Sequence, residues 1–312
     1  MSTRTSPGNH TGLVSDQYQV GKVPSGGYVT ALALHCVTTE LIQASQEPPS
    51  STSNLSRPPN GNHTDVLTSN VHFMASTLPG TFTCQVEILK SGKTTSTVQA
   101  SVHQQGKETM RVLATCGNLT TAAAHGPNLS QLCQGSRPPA LPPIESCVRV
   151  DAGDNTPASV RSRVHLVVPP HSAAQYKGSR ATRGDGSFDE ATLLEREQAV
   201  KNKGATSEYC GYMYFSDGTL PQLCTAPIFL DAGVPPVLGV YVTGWVPSIN
   251  WTVQFFCHPT ATAPLRFRFK TSRVTGGFLE EDGELWDANG HLVAVSRQLA
   301  MVGVSQASKG KL

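Results

Sequence analysis

Two stretches of the chain alternate apolar and polar residues in the same order. In the first, Phe82 to Lys90, Thr94 to Gln104 and Lys107 to Ala114 alternate in the manner of half-buried strands. That period places successive side chains on opposite faces and predicts half-buried strands. Gln105-Gly106 joins the last two as a tight hairpin. In the second, Leu265 to Arg273, Phe278 to Ala288 and His291 to Met301 repeat the pattern. There Asn289-Gly290 suits the two positive φ values of a type I′ turn. One helix is predicted ahead of each set. Gly26 to Ile42 carries apolar residues at positions 29, 32, 33, 36 and 37, and the second candidate runs from about Pro221 to Asp231. Val71-His72-Phe73 against Val253-Gln254-Phe255, and Ser91-Gly92-Lys93 against Thr275-Gly276-Gly277, mark the same repeat. One helix and an antiparallel meander, twice, predicts an α+β protein in two halves, 1–145 and 146–312.

The segments between these elements read as connections. Glu47 to Thr64 is rich in Pro, Ser and Asn and has little to bury, so it reads as a surface insertion after the first helix. Gly135-Ser136-Arg137-Pro138-Pro139-Ala140-Leu141-Pro142-Pro143 reads as an extended linker, and Gly178 to Gly186 as a mobile loop.

Composition narrows the function. A net charge of +2 with 15% charged residues, and no long Lys/Arg run, excludes a phosphate-backbone partner. The eight cysteines form no C-x-x-C pair and the ten histidines no ligand spacing, so no metal site is implied. No run approaches the roughly 18 apolar residues of a membrane span, and the first residues lack a signal peptide's apolar segment. The expectation is a cytoplasmic protein with reduced thiols. The final Lys309-Gly310-Lys311-Leu312 is only near a peroxisomal Ser-Lys-Leu ending, because Gly310 stands where the small hydroxyl residue belongs.

The order and wording of the motifs resemble the acyl-CoA thioesterase II-like family, whose chains have a double hotdog fold. The resemblance rests on Val23-Pro24-Ser25-Gly26-Gly27-Tyr28, Val71-His72-Phe73, Leu89-Lys90-Ser91-Gly92-Lys93, Gly244-Trp245-Val246-Pro247-Ser248-Ile249-Asn250, Leu279 to Asp287 and Ser296-Arg297-Gln298, and spans about 20 to 302. It implies acyl-thioester hydrolysis, with acyl-CoA or a carrier-protein-bound acyl group as substrate, no cofactor of the enzyme's own, and a fold that commonly pairs further into homo-oligomers. It also implies a catalytic Asp, Thr and Gln holding water. These fall on Asp231, Ser248 and Gln298, with Ser in place of Thr, and Asn250 stands where the family usually has Asp. Those two departures keep open a hotdog enzyme acting on a polyketide or other acyl intermediate, and a non-catalytic acyl-binding module.

The residues support parts of this directly. Asp231 is the one charge in the apolar run from Ala226 to Pro236, where desolvation raises a carboxylate's pKa and basicity; capping the following turn is the plainer role. Ser248 alone would be an ordinary turn residue. Gln298 is a polar amide in an apolar strand and requires partners. Gly26, Gly27 and Tyr28 open the first helix, where the Gly27 or Tyr28 amide is the candidate oxyanion donor; the plainer role of the glycines is close packing. His72 and Asn250 are further candidates for substrate contact, although His72 alternates with strand neighbours as a sheet residue would. Repeat spacing puts Ala114 where Gln298 stands and Pro49, with Glu47 nearby, where Asp231 stands, so one site in the second half is expected. Five acids lie between Glu280 and Asp287. Hairpin register pairs Asp282 with Arg297, Glu281 with Gln298 and Trp286 with Val293, and the run reads as an outer strand with no catalytic acid.

Overall fold

The structure, a computed structural model, describes residues 2–47, 60–127, 137–150, 159–176, 206–241, 246–260, 262 and 264–302. The core of the Glu47 to Thr64 insertion, including Pro49, the start of the Gly135 linker, the Gly178 to Gly186 loop and residues 242–245 of the Gly244 motif lie outside them.

The first half contains strands β1 (Ser2–Ser6), β2 (Asn9–Val14), β3 (Gln19–Val20) and β4 (Val23–Pro24), then helix α1 (Gly26–Ala44). Strands β5 (Asp65–Phe73), β6 (Gly80–Ser91), β7 (Ser96–Gln104) and β8 (Lys107–Gly117) and a short helix α2 (Leu119–His125) follow. The second half contains β9 (Val148–Arg149), α3 (Val160–Arg163), β10 (Val164–Val168), α4 (Pro170–Tyr176), β11 (Glu208–Phe215) and α5 (Ala226–Asp231). It ends with β12 (Ser248–Phe255), β13 (Leu265–Lys270), β14 (Val274–Thr275), β15 (Phe278–Trp286) and β16 (Leu292–Met301). The six main predicted strands are all present, within a few residues of their expected ends.

Architecture is more sheet-dominated than expected. One 14-stranded antiparallel sheet runs β1-β2-β6-β7-β8-β5-β12-β16-β15-β13-β11-β10-β9, with β14 on β15. The predicted second helix shrinks to Ala226–Asp231, preceded by a 3-10 turn at Leu223–Thr225, because Pro227 can occupy only a first helical turn. Helix α1 starts at Gly26 because Ser25 caps it, its hydroxyl accepting the Tyr28 N–H at 3.2 Å. Val29, Ala33, Leu34, Cys36, Val37 and Leu41 then form a buried stripe against the sheet. The inner face of the sheet supplies Phe82, Val98, Val112, Trp251, Phe267 and Leu285, each almost fully buried. Burying one such side chain contributes about 1.5–3 kcal/mol.

Strands β5 and β12 join the halves about a local two-fold. Asn70 pairs with Thr252 at its centre, and the Asn70 amide donates to Thr252 Oγ1 at 2.9 Å; Val71 pairs Trp251 on one side and Ser69 pairs Val253 on the other. The two halves repeat one another in register. Val66 pairs Cys116 and Ser69 pairs Ala114, as Ser248 pairs Ala300 and Trp251 pairs Gln298, with a bulge between the two pairs in each case.

The first hairpin turn is as expected and the second differs. Gln105 (φ 52°) and Gly106 (φ 76°) make the two-residue turn with both φ positive, whereas Gly290 (φ 82°) is the only positive φ at the second hairpin. There the Gly290 N–H donates to Asp287 O and the Asp287 N–H to His291 O. This longer turn inserts a residue into the ladder, so Trp286 pairs Leu292 instead of Val293, while Asp282–Arg297 and Glu281–Gln298 pair as expected.

Candidate active site

Asp231 ends α5, and α5 lies against the first turn of α1. Contact is close because residue 27 is glycine: a Cβ there would stand 2.2 Å from the Pro227 carbonyl oxygen and 2.6 Å from Asp231 Cβ. The Gly27 N–H donates to Asp231 Oδ2 at 2.8 Å. A carboxylate of the second half is thus held at the N-terminus of a helix of the first, where unpaired N–H groups and the helix dipole favour negative charge. Burial nevertheless pushes the carboxyl up to about 6, against the opposing pull of the Gly27 amide, the Ser25 hydroxyl and the Gly26 amide.

Both amides named as candidate oxyanion donors, those of Gly27 and Tyr28, have partners within the protein. The Gly27 amide is engaged by Asp231 and the Tyr28 amide by Ser25. Gly26 faces the same carboxylate and the Phe73 ring, since a Cβ on it would lie 3.7 Å from Asp231 Oδ2 and 2.9 Å from Phe73 Cζ. The Tyr28 ring stacks on Tyr18, centroids 4.3 Å apart. The helix start therefore serves the protein's own acid.

Ser248 and Gln298 meet on adjacent strands, the Ser248 hydroxyl donating to Gln298 Oε1 at 2.7 Å. The bulge between Ser248 and Asn250 makes this contact. Ser248 and Trp251 are three residues apart, a spacing that in a regular strand would turn them to opposite faces. The extra residue brings both to the inner face, against Ala300 and Gln298.

The same bulge turns Asn250 outward. Asn250 Nδ2 donates to Asn70 Oδ1 (3.1 Å) and Val71 O (2.9 Å) and lies 3.3 Å from His72 Nε2. Asn250 pairs His72 across the seam between the halves, on the face opposite Trp251, Val71 and Gln298. The structure brings these two candidates to each other and not to Asp231.

One acid of the Glu280 to Asp287 run departs from the pattern of the others. Asp282 takes two hydrogen bonds from Arg297, at 2.6 and 2.7 Å, Glu284 one from Arg268 at 3.0 Å, and Glu280 lies 3.8 Å from Arg273. Asp287 accepts the His291 amide at 2.8 Å and so stabilises the turn. Glu281 instead shares the inner face with Leu279 and Leu285, is 7% exposed, and pairs in register with Gln298. Burial first, then the charge of Asp231, pushes its carboxyl up to about 8, while a hydrogen bond from Gln298 pulls the other way. Strand alternation could have found it: Glu281 shares the parity of Leu279, Gly283 and Leu285.

In the first half the registered positions are apolar. Val66 corresponds to Ser248, Ala114 to Gln298, and Val98, which pairs Ala114, to Glu281. Glu47, near the position of Asp231, is engaged by Arg4. Among the described residues the seven cysteines are free, no group of three His, Cys, Asp or Glu could hold a metal, and no helix is long and apolar enough to cross a membrane.

This long helix over an antiparallel sheet is similar to the fold of solved hotdog proteins. A protein of that fold from Alicyclobacillus acidocaldarius superposes with a TM-score of 0.67 at 16% identity, over 97% of this chain and 96% of its own. A Thermobifida fusca protein proposed to be a thioesterase II gives a TM-score of 0.73 at 24% identity, over 97% and 96%. An acyl-CoA thioesterase II from Mycobacterium marinum gives 0.64 at 14%, over 98% and 97%. Residues 14–117 match the family model of the acyl-CoA thioesterase N-terminal domain and residues 145–302 that of the C-terminal domain. The chain belongs to this acyl-CoA thioesterase family, and the two domains in tandem fit a double hotdog. No curated protein matches it in sequence.

Proposed function

We propose that the chain is an acyl-thioester hydrolase, built as two hotdog units (1–145 and 146–312) with one active site, in which Asp231 is the general base and Ser248 and Gln298 hold the attacking water. The observation that carries the reading is the hydrogen-bonded Ser248–Gln298 pair on the inner face of the half that contributes Asp231, in a chain of thioesterase domains. Because the Ser248 hydroxyl donates to Gln298, its lone pairs are left to accept from water. Asp231 takes the second water proton as oxygen attacks the thioester carbon. The C–S bond breaks, the carboxylic acid forms, and the proton held by Asp231 passes to the departing thiolate. The substrate is an acyl-CoA or an acyl group on a carrier protein, and the thiol portion of either supplies the leaving group.

The pH dependence follows from Asp231. Its carboxyl is raised to about 6, so the base is protonated below that pH and activity falls about tenfold per unit on further acidification. For stability the sign is opposite to that of a salt-bridged acid. A raised folded pKa favours the fold below the unfolded value of 3.8, and that contribution is lost as pH rises through about 6.

The test is thiol release from acyl-CoAs of graded length and from an acyl carrier protein, with wild type and Asp231→Asn. The expected loss in kcat is about 10²–10⁴-fold. An unchanged rate would refute the mechanism, and no release from any thioester would refute the hydrolase.

A further inference from the structure

Glu281 is a buried acid that the water-holding set does not use. Three observations place it beside that set. Its register partner on β16 is Gln298. It is 7% exposed, and its Oε2 is buried with no hydrogen-bond partner among the described residues. The groups facing it are Asp231 from α5, Gln298 from β16 and, next along β15, Asp282, whose own side chain turns out to Arg297. On the β13 side the inner face presents Phe269 beside Gly283, an apolar neighbour. Gln298 Oε1 receives the Ser248 hydroxyl, so the amide's N–H end is the one left to donate, and the sheet register sets Glu281 directly across from it. An amide with one partner of each kind cannot turn over without breaking both bonds.

Resting on the hydrolase reading above, we propose that Glu281 is a positioning residue of this site: as a neutral acid it accepts the Gln298 N–H, fixes Ser248 as a donor, and leaves the single negative charge on Asp231. Two carboxyl groups in one partly desolvated place do not readily both ionise, and their different surroundings divide the roles. Asp231 has the helix amides and takes the charge, while Glu281 has an apolar wall and one amide and keeps its proton. Ionisation of Glu281, near pH 8, would set a second negative charge beside the base and turn the unpartnered oxygen into an unsolvated anion. The expected kcat profile is therefore a bell, with an acid limb from Asp231 and an alkaline limb from Glu281.

The test has one arm that does not depend on turnover. In ¹³C-carboxyl NMR of the resting protein, one glutamate should titrate near 8, be lost in Glu281→Gln, and move down by about a unit or more in Asp231→Asn. In turnover, Glu281→Gln should remove the alkaline limb. Glu281→Leu, which leaves Gln298 without its acceptor, should lower kcat about tenfold with little change in KM, as expected for one hydrogen bond's loss. Thermal unfolding of both variants shows whether they are folded. A Glu281 that titrates in the ordinary range, or an alkaline limb that persists in Glu281→Gln, would overturn the proposal. If the carboxyl coupling is found but no thioester is cleaved, the coupling is borne out and the hydrolase reading fails instead.

Discussion

The two halves share a sheet register but diverge on its inner face. Val66, Ala114 and Val98 in the first occupy the places of Ser248, Gln298 and Glu281 in the second. Three apolar residues make a packed wall, and three polar ones in the same geometry set the Ser248–Gln298 hydrogen bond beside the buried Glu281, in the half that contributes Asp231. The same bulge sits beneath both, after Val66 and after Ser248, so it belongs to the fold and was available for chemistry once a hydroxyl stood there. The first half has kept a different contribution. Its long helix presents Ser25, Gly26 and Gly27 to the second half's acid, which the six-residue α5 could not do for itself. The proposed site is thus shared: the second half supplies the reacting side chains and the first fixes the base.

Substitutions that make one half resemble the other should break this contrast. Gln298→Leu, which gives the second half an apolar strand like the first, should lower kcat by about 10²-fold or more, the scale of losing a preorganised polar group, with thiol release as the assay. Gly27→Ala acts across the boundary. The added Cβ would press on the Pro227 carbonyl and separate the amide from Asp231, and should cost about 1–3 kcal/mol in urea unfolding along with most of the activity. Val98→Glu sharpens the contrast from the other side. It places an acid where Glu281 stands but without a Gln or Asp beside it, and should destabilise by about 1–3 kcal/mol at neutral pH with kcat per folded molecule unchanged.

Much of the scaffold was legible in the sequence. Strands announced themselves by alternation, and Asp282–Arg297 and Glu281–Gln298 follow from counting back through the hairpin. The turn type was not legible, because Asn-Gly favours a type I′ turn locally while the Asp287 side chain and the His291 amide stabilise a longer one. The short α5 was overestimated because an apolar run has no period that distinguishes a helix from a buried 3-10 turn. In the site, Asp231 stood out by its apolar surroundings and Gln298 by its strand. Asn250 could not be placed, because its face depends on a bulge that no residue type signals, whereas the face of His72 follows from its alternation with Val71 and Phe73. Glu281 was hidden among four acids with surface or turn partners, and only the parity of its strand separates it from them.

The central claim is that a chain of two registered halves carries one site, in the second. The direct measurement is calorimetric titration with a non-hydrolysable thioether analogue of an acyl-CoA that wild type cleaves. One analogue bound per chain, with the heat altered by Gln298→Leu and not by Ala114→Ser, is the predicted result. Two equivalent analogues per chain, or binding that Ala114→Ser changes and Gln298→Leu does not, would contradict it.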